Sequence, residues 1–415
     1  MVVNNWFETT IGEQATLQRG IDITRAEQRP GRVPVVSSGG ISSYHDTVQI
    51  KAPGVVLGRK GVVGSVYYIP EDYWPHDTTL WVKDFHGNHP RFIYYFFKSI
   101  ASLIARMDVG SANPTLNRNH VHPIKVLWPP IAEQKTIAHI LGTLDDKIEL
   151  NQQMNQTLEA IARALFKSWF IDFDPVRAKL DGRQPIGMDA ETAALFPAEF
   201  EDSALGKIPK GWKVKPIGDA VKTVGGATPS TSEPAYWEEG NFYWSTPKDL
   251  APLSSPVLLD TERRITEKGL QKISSGLLPK GTLLLSSRAP IGYLAIAEIP
   301  LAINQGYIAI VCGQELSNHY VLRWVQFNMD VIEGRANGTT FMEISKKNFR
   351  PIPALVPPQQ VLQVFNNQAE FIHQQVVNNL RQNKTLASIR DALLPKLLSG
   401  EIRVQDAEKL VEAVT

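Results

Sequence analysis

The sequence repeats itself at a fixed distance, and that repeat limits what the chain can fold into. Asn155 through Leu165 lies 228 residues before Asn383 through Leu393, with six of eleven positions identical. The same offset carries Pro123-Ile124 onto Pro351-Ile352, Pro129-Pro130 onto Pro357-Pro358, Lys60 onto Arg288 and Gly64 onto Gly292. Nearer the start the offset is 206, which takes Trp6, Ile11, Gly12 and Glu13 onto Trp212, Ile217, Gly218 and Asp219. The second copy therefore holds 22 extra residues, expected around Ser232–Ser255. Two copies without a third argue against a solenoid. The 415 residues suit two or three domains. The economical reading is a duplicated two-part unit, a covalent pseudo-dimer.

Each copy opens with short β-type runs broken by Gly and Pro. In the first copy these are Val33–Val36, Gly54–Leu57, Gly61–Tyr68 and Thr79–Val82; in the second, Lys213–Ile217, Thr282–Leu285, Tyr293–Ala297 and Tyr307–Val311. Apolar stretches with helical spacing follow at Arg91–Ile104 and Tyr320–Val331. The second part of each copy starts after its Pro-Pro pair, and its apolar positions step 3,4,3,4. They are Leu141, Leu144, Ile148, Asn151, Asn155, Leu158, Ala162, Leu165 and Trp169, repeated 228 residues on as Ala369, Ile372, Val376, Asn379, Asn383, Leu386, Arg390, Leu393 and Leu397. This is a heptad seam in both copies, as a coiled coil requires. Asn151, Asn155, Asn379 and Asn383 sit mid-seam, where Asn costs stability but fixes register; antiparallel helices would let the Asn pairs face one another. A helix of ~40 residues spans about 60 Å and could hold two heads on DNA grooves one or two turns apart.

The whole-chain charge of +1 conceals alternation: +3 over residues 1–130, −3 over 131–175, −3 over 176–204, +4 over 205–358 and zero over 359–415. Two mildly basic blocks suit a polyanion only weakly. The single Cys312 excludes a disulfide framework or Cys-rich zinc site and fits a reducing cytoplasm. The start shows no signal peptide, and no apolar run is long enough to span a membrane. No phosphate loop, dinucleotide fingerprint or Asn-Pro-Pro-aromatic motif occurs. His86/His89 and His120/His122 have metal-like spacing, but the second copy keeps none of them, so no metal site and no catalytic residue are expected.

Polar and basic loop clusters carry the functional expectation. In the first head they contain Ser37, Ser38, Tyr44, Arg59, Lys60, Asn113, Thr115, Asn117 and Arg118. In the second they contain Thr228, Ser230, Ser245, Thr246, Lys248, Ser287, Arg288, Asn304, Gln305, Asn337, Thr339 and Thr340. Arg and Lys read guanine, Asn and Gln read adenine, and hydroxyls hold phosphates. A constant frame with divergent loops suits two heads that read different things.

Three segments then carry a resemblance: Ile131 through Leu158 with its continuation Ala164–Phe173, Leu205 through Trp212, and Leu393 through Ile402. Over essentially the whole chain, the sequence resembles the specificity subunits of Type I restriction–modification enzymes. The resemblance implies an α+β chain with two target-recognition domains in tandem repeat, separated by two long helices that form an antiparallel coiled coil with pseudo-two-fold symmetry. On this sequence the first domain would cover 1–130, the central helix 131–172, a linker 173–204, the second domain 205–358, the C-terminal helix 359–400 and a tail 401–415. It further implies a non-catalytic subunit whose domains each read half of a split double-stranded DNA site. The helices would set the gap and recruit two methyltransferase subunits and the restriction/translocase subunits. S-adenosylmethionine, ATP and Mg would belong to those partners, with N6 of adenine as the methylated position. One departure stands out: Pro395 falls where the first helix has Lys167, so the second helix is expected to stop or kink there. A scaffold whose heads bind proteins, and a self-sufficient methyltransferase or nuclease, remain as competing readings of the residues.

Overall fold

A computed structural model describes residues 5–107, 115–313, 315–338 and 342–412. The chain forms two compact units, Met1–Leu150 with Arg381–Thr415, and Asn151–Leu380. Each unit thus contains one head, part of its own long helix and part of the other.

In the first unit, β1 (Phe7–Thr10) pairs antiparallel with β9 (Lys125–Trp128) and ties the head's start to its end. Between them lie β2 (Thr16–Arg19), β3 (Val33–Ser37), β4 (Gly40–His45), β5 (Gly54–Gly58), β6 (Val66–Ile69), β7 (Trp74–Pro75) and β8 (Thr79–Asp84). They form a sheet of order β2-β8-β5-β6 and a smaller one of order β4-β3-β7, with β3 and β7 parallel. The second unit begins with a hairpin of β10 (Phe200–Ser203) and β11 (Gly206–Pro209). Its head repeats the plan: β12 (Lys213–Pro216) closes on β21 (Pro353–Val356). Inside are β13 (Lys222–Val224), β14 (Phe242–Ser245), β15 (Val257–Leu258), β16 (Arg263–Ile265), β17 (Leu283–Ser287), β18 (Ile291–Ala297), β19 (Leu301–Ile303) and β20 (Tyr307–Val311). The sheets run β13-β20-β17-β18-β15 and β16-β14-β19, again with one parallel pair in the small sheet. The offsets hold in the register. Leu17 pairs with Val82 as Thr223 pairs with Ile310, and Val56 with Trp81 as Leu284 with Ala309.

The extra residues are not one block. Residues 38–39 join β3 to β4 where 246–262, with β15, join β14 to β16; residues 46–53 lead from β4 to β5 where 266–282 lead from β16 to β17. The expected strand Gly61–Tyr68 is also cut short at its start. Gly61 and Gly64 have φ of +78° and +83°, so residues 61–65 turn back, and a Cβ at Gly64 would lie 2.7 Å from the Ala101 carbonyl oxygen. Both apolar helical stretches break once, at Ile100 and Asn328, which have helix-end backbone angles.

The long helices are Ile131–Phe170 and Gln359–Leu398. The second does not stop at Pro395. Leu393, Leu394 and Leu397 are buried around the proline and hold the turn, although Pro has no N–H to donate. The helix ends at Gly400, whose φ of +69° lets the Glu401 N–H reach back to the Lys396 carbonyl. Within each unit the helices pair antiparallel. In the first, Arg390 donates to Asp145 at 2.6 Å while Asn383 lies opposite Ile148. In the second, Asn379 donates to Asn155 at 2.8 Å while Phe365 stacks edge-on against Phe166 and Phe170. Leu141, Leu144, Asn151, Asn155, Ala162 and Trp169 are all buried, as the heptad spacing requires. Arg390 occupies an apolar position, where its bond to Asp145 offsets the cost of burying its charge.

Candidate nucleic-acid interface

The first head brings two sequence-distant clusters together. The backbone at Lys60 bridges to Thr115, and the Leu116 N–H donates to the Arg59 carbonyl at 2.9 Å. Asn117 then caps the short helix Arg118–Val121 by accepting from the Asn119 N–H. This places Arg59, Thr115, Asn117 and Arg118 around a cleft of about 820 Å³, also lined by Arg19 and Lys83. Among the described residues, one carboxylate, that of Asp77, pairs with a cation of this cleft. Arg19 pairs with Asp77 at 2.8 Å, whereas Arg59 meets only the Asp77 carbonyl at 3.3 Å and Arg118 the Leu17 carbonyl at 3.3 Å. Burial and the nearby Arg19 charge lower the Arg59 pKa, against the opposing pull of Asp77. Guanidinium remains charged regardless, so the cleft is built for an anion.

Ser37 and Ser38 lie at the β3–β4 turn beside this wall. The Ser37 hydroxyl donates to the Gly40 carbonyl, and the Ser38 N–H and the Arg59 and Lys60 N–H groups all converge on Thr78. Tyr44 is exposed on β4 and Lys60 is exposed at the cleft's edge. Asn113 lies outside the described residues.

In the second head the same bridge recurs, Arg288 to Glu343, with the Ile344 N–H donating to the Ser287 carbonyl at 3.0 Å. Here an acid occupies the position of Thr115, and Glu343 meets the Arg288 guanidinium at 3.7 Å. Ser287 is buried beneath the bridge, and Ser245 is fully buried and braces the frame from inside through its hydrogen bond with the Tyr307 hydroxyl at 2.9 Å. Thr246 caps a helical turn through Asp249, Lys248 meets Glu262 at 3.3 Å, and Asn304 accepts from the Gly306 N–H. Thr228 donates to Gln305 at 2.6 Å, with Ser230 exposed nearby on the same loop. Asn337 exchanges backbone hydrogen bonds with Glu343, while Thr339 and Thr340 lie outside the described residues.

The sequence reading missed Arg19, Lys83, Gln18 and His120 of the cleft. A signal existed for Arg19: it aligns with Gly225 at offset 206, a charge kept in one copy alone. The histidines do other work. His86 bonds Thr16 at 2.7 Å and His122 accepts from the Leu17 N–H at 2.9 Å. Among the described residues, the one set with metal-like proximity is Asp22, His76 and Asp77, and Asp77 is engaged by Arg19. Burial pushes the Cys312 thiol up to about 12, which suppresses the thiolate a nucleophile needs. No described helix is long and apolar enough to cross a membrane.

Duplicated α+β heads on antiparallel long helices, with divergent polar loops on a shared frame, define a two-headed recognition protein. The model of the Type I restriction modification DNA specificity domain matches residues 4–160 and 209–382, once on each copy, and the chain belongs to that family. It is 29% identical over 348 residues to the Type I restriction enzyme HindI specificity subunit of Haemophilus influenzae, covering 74% of each chain. It is 28% identical over 323 residues to the Type I restriction enzyme MjaIX specificity subunit of Methanocaldococcus jannaschii, covering 76% of this chain and 69% of that one. The fold is shared with the Type-I restriction-modification S subunit from M. genitalium, at a TM-score of 0.60 and 17% identity over 96% of this chain and 97% of the other.

Proposed function

We propose that this chain supplies the DNA address for a Type I restriction–modification complex in the cytoplasm. Each head takes one half of a bipartite double-stranded site. The antiparallel helices set the gap and recruit two methyltransferase subunits and the restriction/translocase subunits. Methyl transfer to adenine N6, with its S-adenosylmethionine, and the ATP- and Mg-dependent steps belong to those partners; this chain positions them. The observation that carries the reading is the anion-seeking cleft of Arg19, Arg59, Lys83 and Arg118, set on a family-wide frame that recurs in the second head with different side chains. Phosphate contacts of this kind position a protein on duplex, while loop side chains read base edges.

The test has two arms. Methylome sequencing of the host with and without the gene should lose one bipartite motif. Binding of the assembled complex to duplex carrying that motif should weaken log-linearly with salt. An unchanged methylome, or salt-insensitive binding, overturns the reading.

A further inference from the structure

The shared frame leaves the second head with one of the first head's four cleft cations. At the positions of Arg19, Arg59, Lys83 and Arg118 it holds Gly225, Ser287, Val311 and Lys346. Further cationic contacts with DNA can come from another part of the head. The small sheet offers an arrangement that the first head lacks. The Arg263 guanidinium carbon lies 3.6 Å from the Trp237 ring centroid and 5.5 Å from that of Trp244, and the two indoles meet edge-on at 5.0 Å. Both indoles are pinned to one loop: Trp237 donates to the Ser230 carbonyl at 2.8 Å, and buried Trp244 to the Ala227 carbonyl at 3.2 Å. That loop carries Thr228, whose hydroxyl bonds Gln305. In the first head, Ser43 occupies the position of Arg263, and Val35, its partner on β3, that of Trp244.

Resting on the function proposed above, we infer that Arg263 is the base-reading group of the second head and presents its fork to a guanine. β16 is an edge strand, and Arg263 is exposed on it. Stacking on indole covers the weakly hydrated faces of the guanidinium and freezes its torsions, while the in-plane N–H groups stay open. Among the described residues, no carboxylate pairs with Arg263. A fixed fork offers two coplanar donors to the O6 and N7 acceptors of guanine, a geometry that the flexible ammonium of Lys does not hold in place. Arg264 provides an internal control. It stacks on Tyr243 at 4.6 Å from the opposite side of the strand and also approaches Asp260 at 3.8 Å.

The experiment uses the assembled complex with wild-type chain, Arg263→Ala, Arg263→Lys or Arg264→Ala, read by duplex competition panels and by the methylated motif. Arg263→Ala and Arg263→Lys should each lose about 10–100-fold discrimination at one G·C pair in one half-site, with the other half unchanged. Arg264→Ala should keep the wild-type motif. Arg263→Lys retains the charge but not the planar fork, so it decides the matter if Arg263→Ala destabilises the fold. Full discrimination by Arg263→Lys, equal weakening at both halves, or no guanine in the affected half overturns the inference. A wild-type complex with no bipartite motif would instead sink the function proposed above.

Discussion

In the first head, Arg19, Arg59, Lys83 and Arg118 converge on one cleft; in the second, the same frame positions carry one cation, Lys346, and Glu343 faces Arg288. The attachment of head to helix differs in the same way. Arg91 of the first head forms a two-pronged bond to Asp146, and Tyr95 donates to Asp145 at 2.6 Å. At the equivalent positions the second head has His319, bonded to Glu370 at 2.6 Å, and Arg323, bonded to Glu159 at 2.7 Å. His373, in the place of Asp145, bonds buried Glu298 at 2.9 Å. Duplication has kept what the backbone needs, namely strand register and most of the apolar seam. Side chains facing solvent or filling polar joints were free to diverge, because a hydrogen-bonded frame constrains them little.

That contrast can be broken at its packed joints first. Phe365 is fully buried among Phe166, Phe170 and Tyr320, whereas its counterpart is the smaller aliphatic Ile137, buried in a core that also holds Phe92, Tyr95 and Trp128. Phe365→Ala should cost about 3–5 kcal/mol and Ile137→Val about 0.5–1.5 kcal/mol, measured by denaturant unfolding. Equal losses would erase the distinction between the aromatic and the aliphatic side chain.

Acid should separate the units next. Burial alone would raise the Glu298 pKa, but hydrogen bonds from His373 and Lys280 outweigh it and hold the carboxyl at about 2. Burial lowers the His319 pKa, outweighing the Glu370 bond. Both folded-state values lie below the ordinary ones, so their stabilisation is present above the ordinary pKa and lost as pH falls. The His319 contribution fades below 6.5 and the Glu298 contribution, about 3 kcal/mol in full, fades from 4.5 toward 2. The first unit uses an arginine at the position of His319. Burial lowers the pKa values of His89 and His122 of the first unit in the same direction. Thermal melts should therefore decline in both units from pH 7.5 to 5 and more steeply in the second below 4.5, where Glu298 protonates; equal declines below 4.5 would refute the contrast.

The clefts predict a smaller, electrostatic difference. Arg59→Ala should lower the salt slope of DNA binding by about one phosphate contact. Arg288→Ala should lower it by less, because Glu343 already offsets that charge, and Glu343→Gln should raise it. Equal slopes for Arg59→Ala and Arg288→Ala in titrations of the assembled complex would show that Glu343 neutralises nothing. The smallest effect lies in the seam. Replacing both Asn155 and Asn379 with Leu should stabilise the chain by about 1 kcal/mol while relaxing register, whereas Asn155→Leu alone should not stabilise it, since Asn379 loses its partner. Stabilisation by the single change would remove any role for the pair.

Much of the architecture was legible beforehand because periodicity and repetition are properties of the chain alone. The 3,4 spacing identified both long helices, and the matched Asn positions anticipated the Asn155–Asn379 contact. The cleft was only half legible. Arg59–Lys60 and Thr115–Arg118 were singled out as separate loops, but nothing local says that a backbone bridge joins them. Arg19 and Lys83 lie on strands, where a charged residue reads as an ordinary outward-facing position until its cross-sheet neighbours are known. Ser245 and Ser287 illustrate the converse, polar residues in loop-like surroundings that folding carried inside.

The order of the amino acids by itself determined where the two long helices lie, that the unit comes twice, and which of their positions form the seam, since these depend on spacing along one chain. Tertiary structure alone decided which charges share a cleft, which are cancelled by an acid, and which guanidinium lies flat on an indole. Those outcomes depend on distances between residues far apart in sequence, and Coulomb and stacking energies change severalfold within a few ångströms.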